Sequence, residues 1–160
     1  MNNFERLIQL AEEVFDVRND PDQLGIDEQV MERLQQIHPC TMMEEDYGEG
    51  PVAWVLVIPT TLALMHEFLE GHITERRMFY MTPVDTSYEA LYLCSALVLE
   101  EYRRKGIVKK LVLRAIEEIR RDHPLKALFV WSFSEEGEKA ANSIARSTAL
   151  PLYQRIKKGN

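Results

Sequence analysis

Leu97-Val98-Leu99-Glu100-Glu101-Tyr102-Arg103-Arg104-Lys105-Gly106-Ile107-Val108-Lys109-Lys110 runs from an apolar stretch through a short basic loop into the start of an amphipathic segment. These residue types at this spacing suit an anion. The first N–H groups of a helix have no intrahelical acceptor and carry the positive end of its dipole, so a helix opening at Gly106 offers donors to a phosphate. Gly106 lets the backbone approach closely, and Arg103, Arg104, Lys105, Lys109 and Lys110 add positive charge. A plainer reading uses the same residues: a strand-to-helix connector whose basic side chains are merely solvated.

Two other constellations carry less. His66 and Glu70 stand four apart, but His72 follows His66 by six and falls on another helical face, so the zinc-protease spacing is not met and no metal is expected. Cys40 and Cys94 lack a histidine in an arrangement that would make either a nucleophile. Two thiols far apart in sequence read as buried and structural, in a reducing compartment, which points to a cytoplasmic location.

The elements that must position these residues follow from periodicity. Phe4, Leu7, Ile8, Ala11, Val14 and Phe15 predict an amphipathic helix over 3–16, and Asp20-Pro21 a turn or helix start. A second helix begins after Asp27, buries Val30, Met31, Leu34 and Ile37, and stops at His38-Pro39. Strands are expected at 41–45 and 51–58, joined as a hairpin through Tyr47-Gly48-Glu49-Gly50. Thr60 or Thr61 caps a short helix through Glu70, and 76–82 reads as a strand. Leu91 to Leu99 holds no charge, the pattern of a central strand covered on both faces. A helix over 106–121, a buried strand over 127–133 and a helix over 135–149 capped by Ser134 complete the chain up to Pro151.

The 160 residues, 46% hydrophobic and 28% charged, suffice for one domain that buries its own core without disulfides. No apolar run is long enough for a membrane span. The net charge of −7 excludes general nucleic-acid binding, as does the absence of aromatic residues set among basic ones. The mean hides a division: residues 1–100 carry 5 Lys and Arg against 19 Asp and Glu, residues 101–160 carry 14 against 7. A polyanionic ligand is expected at the C-terminal part, and a cationic one at the acidic part.

A buried strand followed by Arg-x-x-Gly-x-Gly/Ala at a helix start is the acyl-coenzyme A signature of the GNAT N-acetyltransferases, and Arg103-Arg104-Lys105-Gly106-Ile107-Val108 resembles it, with Val108 where the family usually has Gly or Ala. The order strand 91–99, helix 106–121, strand 127–133, helix 135–149 is similar to the family's central unit. Asn142 and Ala145 match its Asn-x-x-Ala pattern, and Leu152-Tyr153 its Leu-Tyr. The resemblance is clearest over 91–153. It implies a single α/β domain over 1–160, an α+β mixed, largely antiparallel sheet flanked by helices, with a shortened C-terminal end.

The resemblance also implies a function: transfer of an acetyl or other short acyl group from acetyl-CoA to an amine-bearing acceptor. Leu97, Val98 and Leu99 would pair with the pantetheine arm between two splayed strands, N–H groups from Arg103 to Lys109 would meet the pyrophosphate, and Asn142 would hold a pantetheine amide. Tyr153, or Ser143 in its place, would protonate the leaving thiolate. The family's base-forming Glu has no counterpart between Ala90 and Leu99, which leaves Glu89, Tyr92 and Asp85 as candidates. Only residues 153–160 follow the expected end, too few for the family's last two strands, so 127–133 is expected as an exposed apolar edge and a homodimer across it as the partner. The reading from a different class is a catalytically inactive GNAT-like interaction module, dimeric through the same edge.

Overall fold

A computed structural model describes residues 1–18, 24–132 and 134–155, with side chains of 14–18 excepted. The expected turn at Asp20-Pro21, the apolar positions Val14 and Phe15, and Phe133 therefore lie outside the described residues.

The chain order is α1 (Asn3–Arg18), α2 (Glu28–Ile37), β1 (Met42–Asp46), β2 (Pro51–Thr60), α3 (Leu62–Leu69), α4 (Glu75–Met81), β3 (Ala90–Val98), α5 (Ile107–Asp122), β4 (Ala127–Val130), α6 (Glu135–Thr148) and β5 (Leu152–Gln154). The five strands form one sheet in the order β1-β2-β3-β4-β5. β1–β2 and β2–β3 are antiparallel and supply the longer ladders, while β3–β4 and β4–β5 are parallel and short. The sheet is thus mixed and largely antiparallel, with β3 at its centre.

Helices cover both faces. Leu111, Ala115, Ile116 and Ile119 of α5, Ile144 of α6 and Leu7 of α1 pack with Val55, Leu91 and Leu128 on one side. Leu34 of α2, Phe68 of α3 and Met78 and Phe79 of α4 pack with Ile58, Tyr92 and Phe129 on the other. Alternate residues of each strand supply the two cores, as the period of two requires. Ala90, Leu91 and Tyr92 of β3 are buried as its uncharged run called for, whereas Leu93 to Val98 are at best half-buried and Ala96 is exposed, a correction to the expectation of a strand covered along its whole length.

Three N-caps are among those the sequence offered, Thr61 being the one of the pair Thr60 and Thr61. Asp27, Thr61 and Ser134 accept N–H bonds from Val30, Leu64 and Gly137. Each satisfies one of the orphan donors of a helix start.

Several expectations are corrected. Residues 76–82 are helical, not a strand: Thr74 caps α4 by accepting from Arg77 N–H, and Glu75, Met78 and Phe79 are buried together at helical spacing. The run Met78-Phe79-Tyr80 has strand-like composition, and the cap overrides it. In α1, Leu7 is buried but Phe4 is 54% exposed and Ile8 is 39% exposed, and in α2 Met31 is exposed too, so these three apolar positions do not join the core as expected. β4 ends at Val130, three residues short of the expected Phe133. Its outer edge is not open: β5 runs parallel to it, with Leu128 opposite Leu152 and Val130 opposite Gln154. Three residues suffice to cover a strand of four, which removes the observation that called for a partner copy there.

Candidate functional site

β3 and β4 part company half-way along β3. Their pairing runs from Ala90 opposite Ala127 to Leu93 opposite Val130 and stops, whereas the β2 side of β3 stays paired up to Val98 opposite Ala53. From Ser95 onward one edge of β3 has no strand against it among the described residues. The β2–β3 register shifts at the same place: Val57 faces Leu93 and Leu56 faces Ser95, so β3 takes up Cys94 as a bulge. A bulge bends its strand and increases the local twist, which turns β3 away from β4.

The gap is a cleft of about 230 Å³. Leu93 to Ala96 form one wall and Val130, Trp131 and Ser132 the other; Val108 and Val112 of α5 and Gly137, Ala140, Ala141 and Ile144 of α6 close a side. The α6 residues fall at i, i+3, i+4 and i+7, and three of the four are small. A helix with that stripe leaves room where a Leu-bearing one would fill the gap. Ser132 Oγ is buried at this wall with no hydrogen-bond partner among the described residues. Buried hydroxyls are nearly always paired, so this one fits a polar ligand atom.

α5 begins beside the cleft. Gly106 is its N-cap at φ 73, and no side chain caps it. Lys110 N–H bonds Gly106 O at 3.0 Å, which leaves the N–H groups of Ile107, Val108 and Lys109 without an intrahelical acceptor. A Cβ at Gly106 would meet nothing within 4 Å, so the glycine is required by its left-handed backbone and the space over it is open. Arg104 also has positive φ, 62°. Among the described residues no carboxylate lies within 4 Å of Arg103, Arg104, Lys105 or Lys109, while Lys110 is held by Glu45 at 2.9 Å. Cations without a carboxylate partner thus surround N–H groups that no side chain caps, a combination that suits an anion.

The loop is anchored from α1. Arg6 makes two bonds to the Glu101 carboxylate, 2.8 and 2.6 Å, and these bonds hold that carboxyl down at about 2. Leu99 N–H donates to Val52 O, and a 3-10 turn at Glu100–Tyr102 turns the chain toward Arg103.

A model of the acetyltransferase (GNAT) family matches residues 11–146. The chain belongs to the GNAT family. Searches of curated proteins and of solved structures give no match. The GNAT assignment makes an acyl-CoA-dependent acyltransferase the activity of the family to which this chain belongs.

The residues singled out from sequence are placed unequally. Gly106, Ile107, Val108 and Lys109 form the start of α5, with Arg103, Arg104 and Lys105 in the loop before it. Val108 is half-buried and forms part of the cleft wall. Leu97 and Val98 lie on β3 beyond the bulge, whereas Leu99 is buried with its N–H already used. Asn142 is exposed and donates to Glu138 O of its own helix, so the cleft is met by its neighbour Ala141 instead. Glu89 pairs with Lys126 at 2.6 Å just before β3, the end of the strand opposite to the cleft, and Asp85 precedes it in an exposed loop. Tyr92 donates to the buried carboxylate of Glu75 at 2.6 Å; burial first, then that carboxylate, push its pKa well above 10, so it keeps its proton and is no base. Tyr153 is 44% exposed on β5 opposite Phe129. Ser143 is half-buried on α6 and is absent from the cleft wall.

Sequence reasoning missed Cys94, Ser95, Trp131 and Ser132 as cleft residues. Ser95-Ala96 interrupting an apolar strand and the small-residue stripe of α6 were the available signals. Of the discounted sites, Cys40 has its thiol pKa raised, chiefly by burial, which suits an inert thiol, and His72 is paired with Glu67 at 3.0 Å. Among the described residues no helix is long and apolar enough to cross a membrane, and no cluster of three metal-ligating side chains occurs.

Proposed function

We propose that this chain transfers a short acyl group, with acetyl as the first candidate, from coenzyme A to an amine. The observation that carries the reading is the parting of β3 from β4 beside an uncapped helix start. The N–H groups of Ile107, Val108 and Lys109, with the four cations around them, hold the pyrophosphate. The free edge of β3 from Ser95 to Val98 aligns the amides of the pantetheine arm, each of which needs a donor or acceptor once out of water. Ser132 Oγ supplies one more polar contact at the opposite wall.

In the reaction a neutral amine attacks the thioester carbonyl, a C–N bond forms, the C–S bond breaks, the nitrogen loses a proton and the sulfur leaves as thiolate or thiol. Neither Glu89 nor Tyr153 lines the cleft, so we assign the rate chiefly to positioning, which alone supplies large effective concentrations. The thiolate is then protonated from water. The covering of β4 by β5 removes the exposed-edge argument for an inactive dimeric module, which leaves that alternative resting on the acidic N-terminal half as a surface for a basic partner. Its two thiols and the soluble character of the family lead us to propose a cytoplasmic location.

Calorimetric titration with acetyl-CoA and with free CoA tests the reading. Micromolar binding is expected, with Gly106→Glu abolishing it through added charge and bulk at the phosphate site. Because φ 73 strains any side chain there, a melting curve of the variant accompanies the titration. Folded wild-type protein that binds neither ligand would overturn the proposal.

A further inference from the structure

We propose that Arg155 binds a carboxylate carried by the acceptor, so that the amine acylated in this cleft belongs to an amino acid or another amino-carboxylate. The inference rests on the acyltransfer reading above and names the substrate class of that site.

Arg155 follows the last residue of β5, and its N–H donates to Val130 O at 2.9 Å, which sets it beside Trp131 at the end of β4. Its guanidinium carbon lies 4.7 Å from the centre of the Trp131 ring and 4.5 Å from that of Phe68. Nη1 donates to Ile73 O at 3.2 Å. Two rings and one carbonyl therefore fix a planar cation whose remaining N–H donors have no acceptor among the described residues. No carboxylate of a described residue lies within 4 Å of it, although the side chain is only partly exposed. A guanidinium carries five N–H donors in a rigid fork, and stacking leaves the edge of that fork open. The partner that matches such an edge is a carboxylate, taken by two parallel bonds.

Its position decides which carboxylate. Trp131 lines the cleft, and the ring contacts of Arg155 are with residues that pack on the α3–α4 side of the sheet. α5, with the phosphate-binding N–H groups, packs on the opposite side. Arg155 does not itself line the cleft but stacks on Trp131, which does, so it stands at the rim on the α3–α4 side while the α5 N–H groups stand on the other, and the side away from the phosphate is the one left for the acceptor. The acidic N-terminal half made a cationic acceptor the first expectation; Arg155 adds that the group next to the amine is anionic.

The test follows CoA release from acetyl-CoA with the common L-amino acids and with their decarboxylated amines, in wild type, Arg155→Met and Arg155→Lys, each checked by its melting curve. Wild type is expected to use amino acids and to lose roughly 10- to 100-fold in kcat/KM with Arg155→Met, mostly as a raised KM, while acetyl-CoA affinity is unchanged. Arg155→Lys keeps the charge without the fork and is expected to fall between the two. A parallel arm pairs the decarboxylated amines with succinyl-CoA, whose acyl group brings its own carboxylate. Equal or better use of plain amines with acetyl-CoA, a KM unmoved by either substitution, or activity only with succinyl-CoA would overturn the assignment. So would protein that binds acetyl-CoA and acylates no amino acid, which leaves the acyl-CoA reading standing. Absence of acetyl-CoA binding would remove both.

Discussion

Replacing Lys109 by Glu separates ligand binding from stability because the two respond with opposite signs. Lys109 is half-buried in the first turn of α5 and has no carboxylate within 4 Å among the described residues, so its removal breaks no ion pair. A unit charge about 5 Å from a phosphate in a water-like dielectric contributes roughly 0.8 kcal/mol, and reversal counts twice, with a smaller addition from the second phosphate. The loss is about 2 kcal/mol, or roughly 30-fold in the affinity for acetyl-CoA. In the free protein the same carboxylate sits at the positive end of a helix that has no side-chain cap. That is worth about 0.3–1 kcal/mol in favour of the fold, or roughly 1–3 °C in Tm. Calorimetry at low salt reads the first effect and thermal unfolding the second; at about 1 M salt the affinity difference shrinks to a few-fold. An affinity within twofold of wild type, or a Tm lowered by several degrees, would refute the reasoning about the helix start.

Three further outcomes are expected. Ser132→Ala removes a buried hydroxyl that has no hydrogen-bond partner among the described residues, so Tm holds or rises while acetyl-CoA or product binding weakens about five-fold by titration; a lower Tm would show that the hydroxyl serves the fold. Tyr92→Phe deprives the buried Glu75 carboxylate of its 2.6 Å phenol donor and should cost about 1.5–3 kcal/mol in urea unfolding, with an unchanged midpoint counting against that bond. Glu101, held at about 2 instead of 4.5 in the folded protein, contributes stability that is present above pH 4.5 and is lost as pH falls toward 2. Arg6→Gln should return the Glu101 carboxyl to the ordinary range in an NMR titration and flatten the stability profile across that interval; an unmoved titration would mean that the Arg6 bonds do not form in solution.

What the sequence determined by itself is local or periodic. The caps at Asp27, Thr61 and Ser134, the hairpin, the buried central strand and the uncapped start of α5 at Gly106 follow from residue types within a few positions of one another, because helix ends and strand faces are short-range problems. The uncapped, cation-flanked helix start was legible for that reason: its N–H donors, its glycine and its basic residues all lie between residues 103 and 109. The tertiary structure decided the rest. The cleft exists because two strands about thirty residues apart pair for four residues and then diverge at the Cys94 bulge, and neither pairing length nor bulge position is written in either strand alone. The same pairing sent Glu89 to the far end of β3, brought the three-residue β5 against an edge that looked open, and set Arg155 over Phe68 and Trp131, rings drawn from segments more than sixty residues apart. Contacts of that range depend on how sheet and helices close around two cores, which local propensity does not specify.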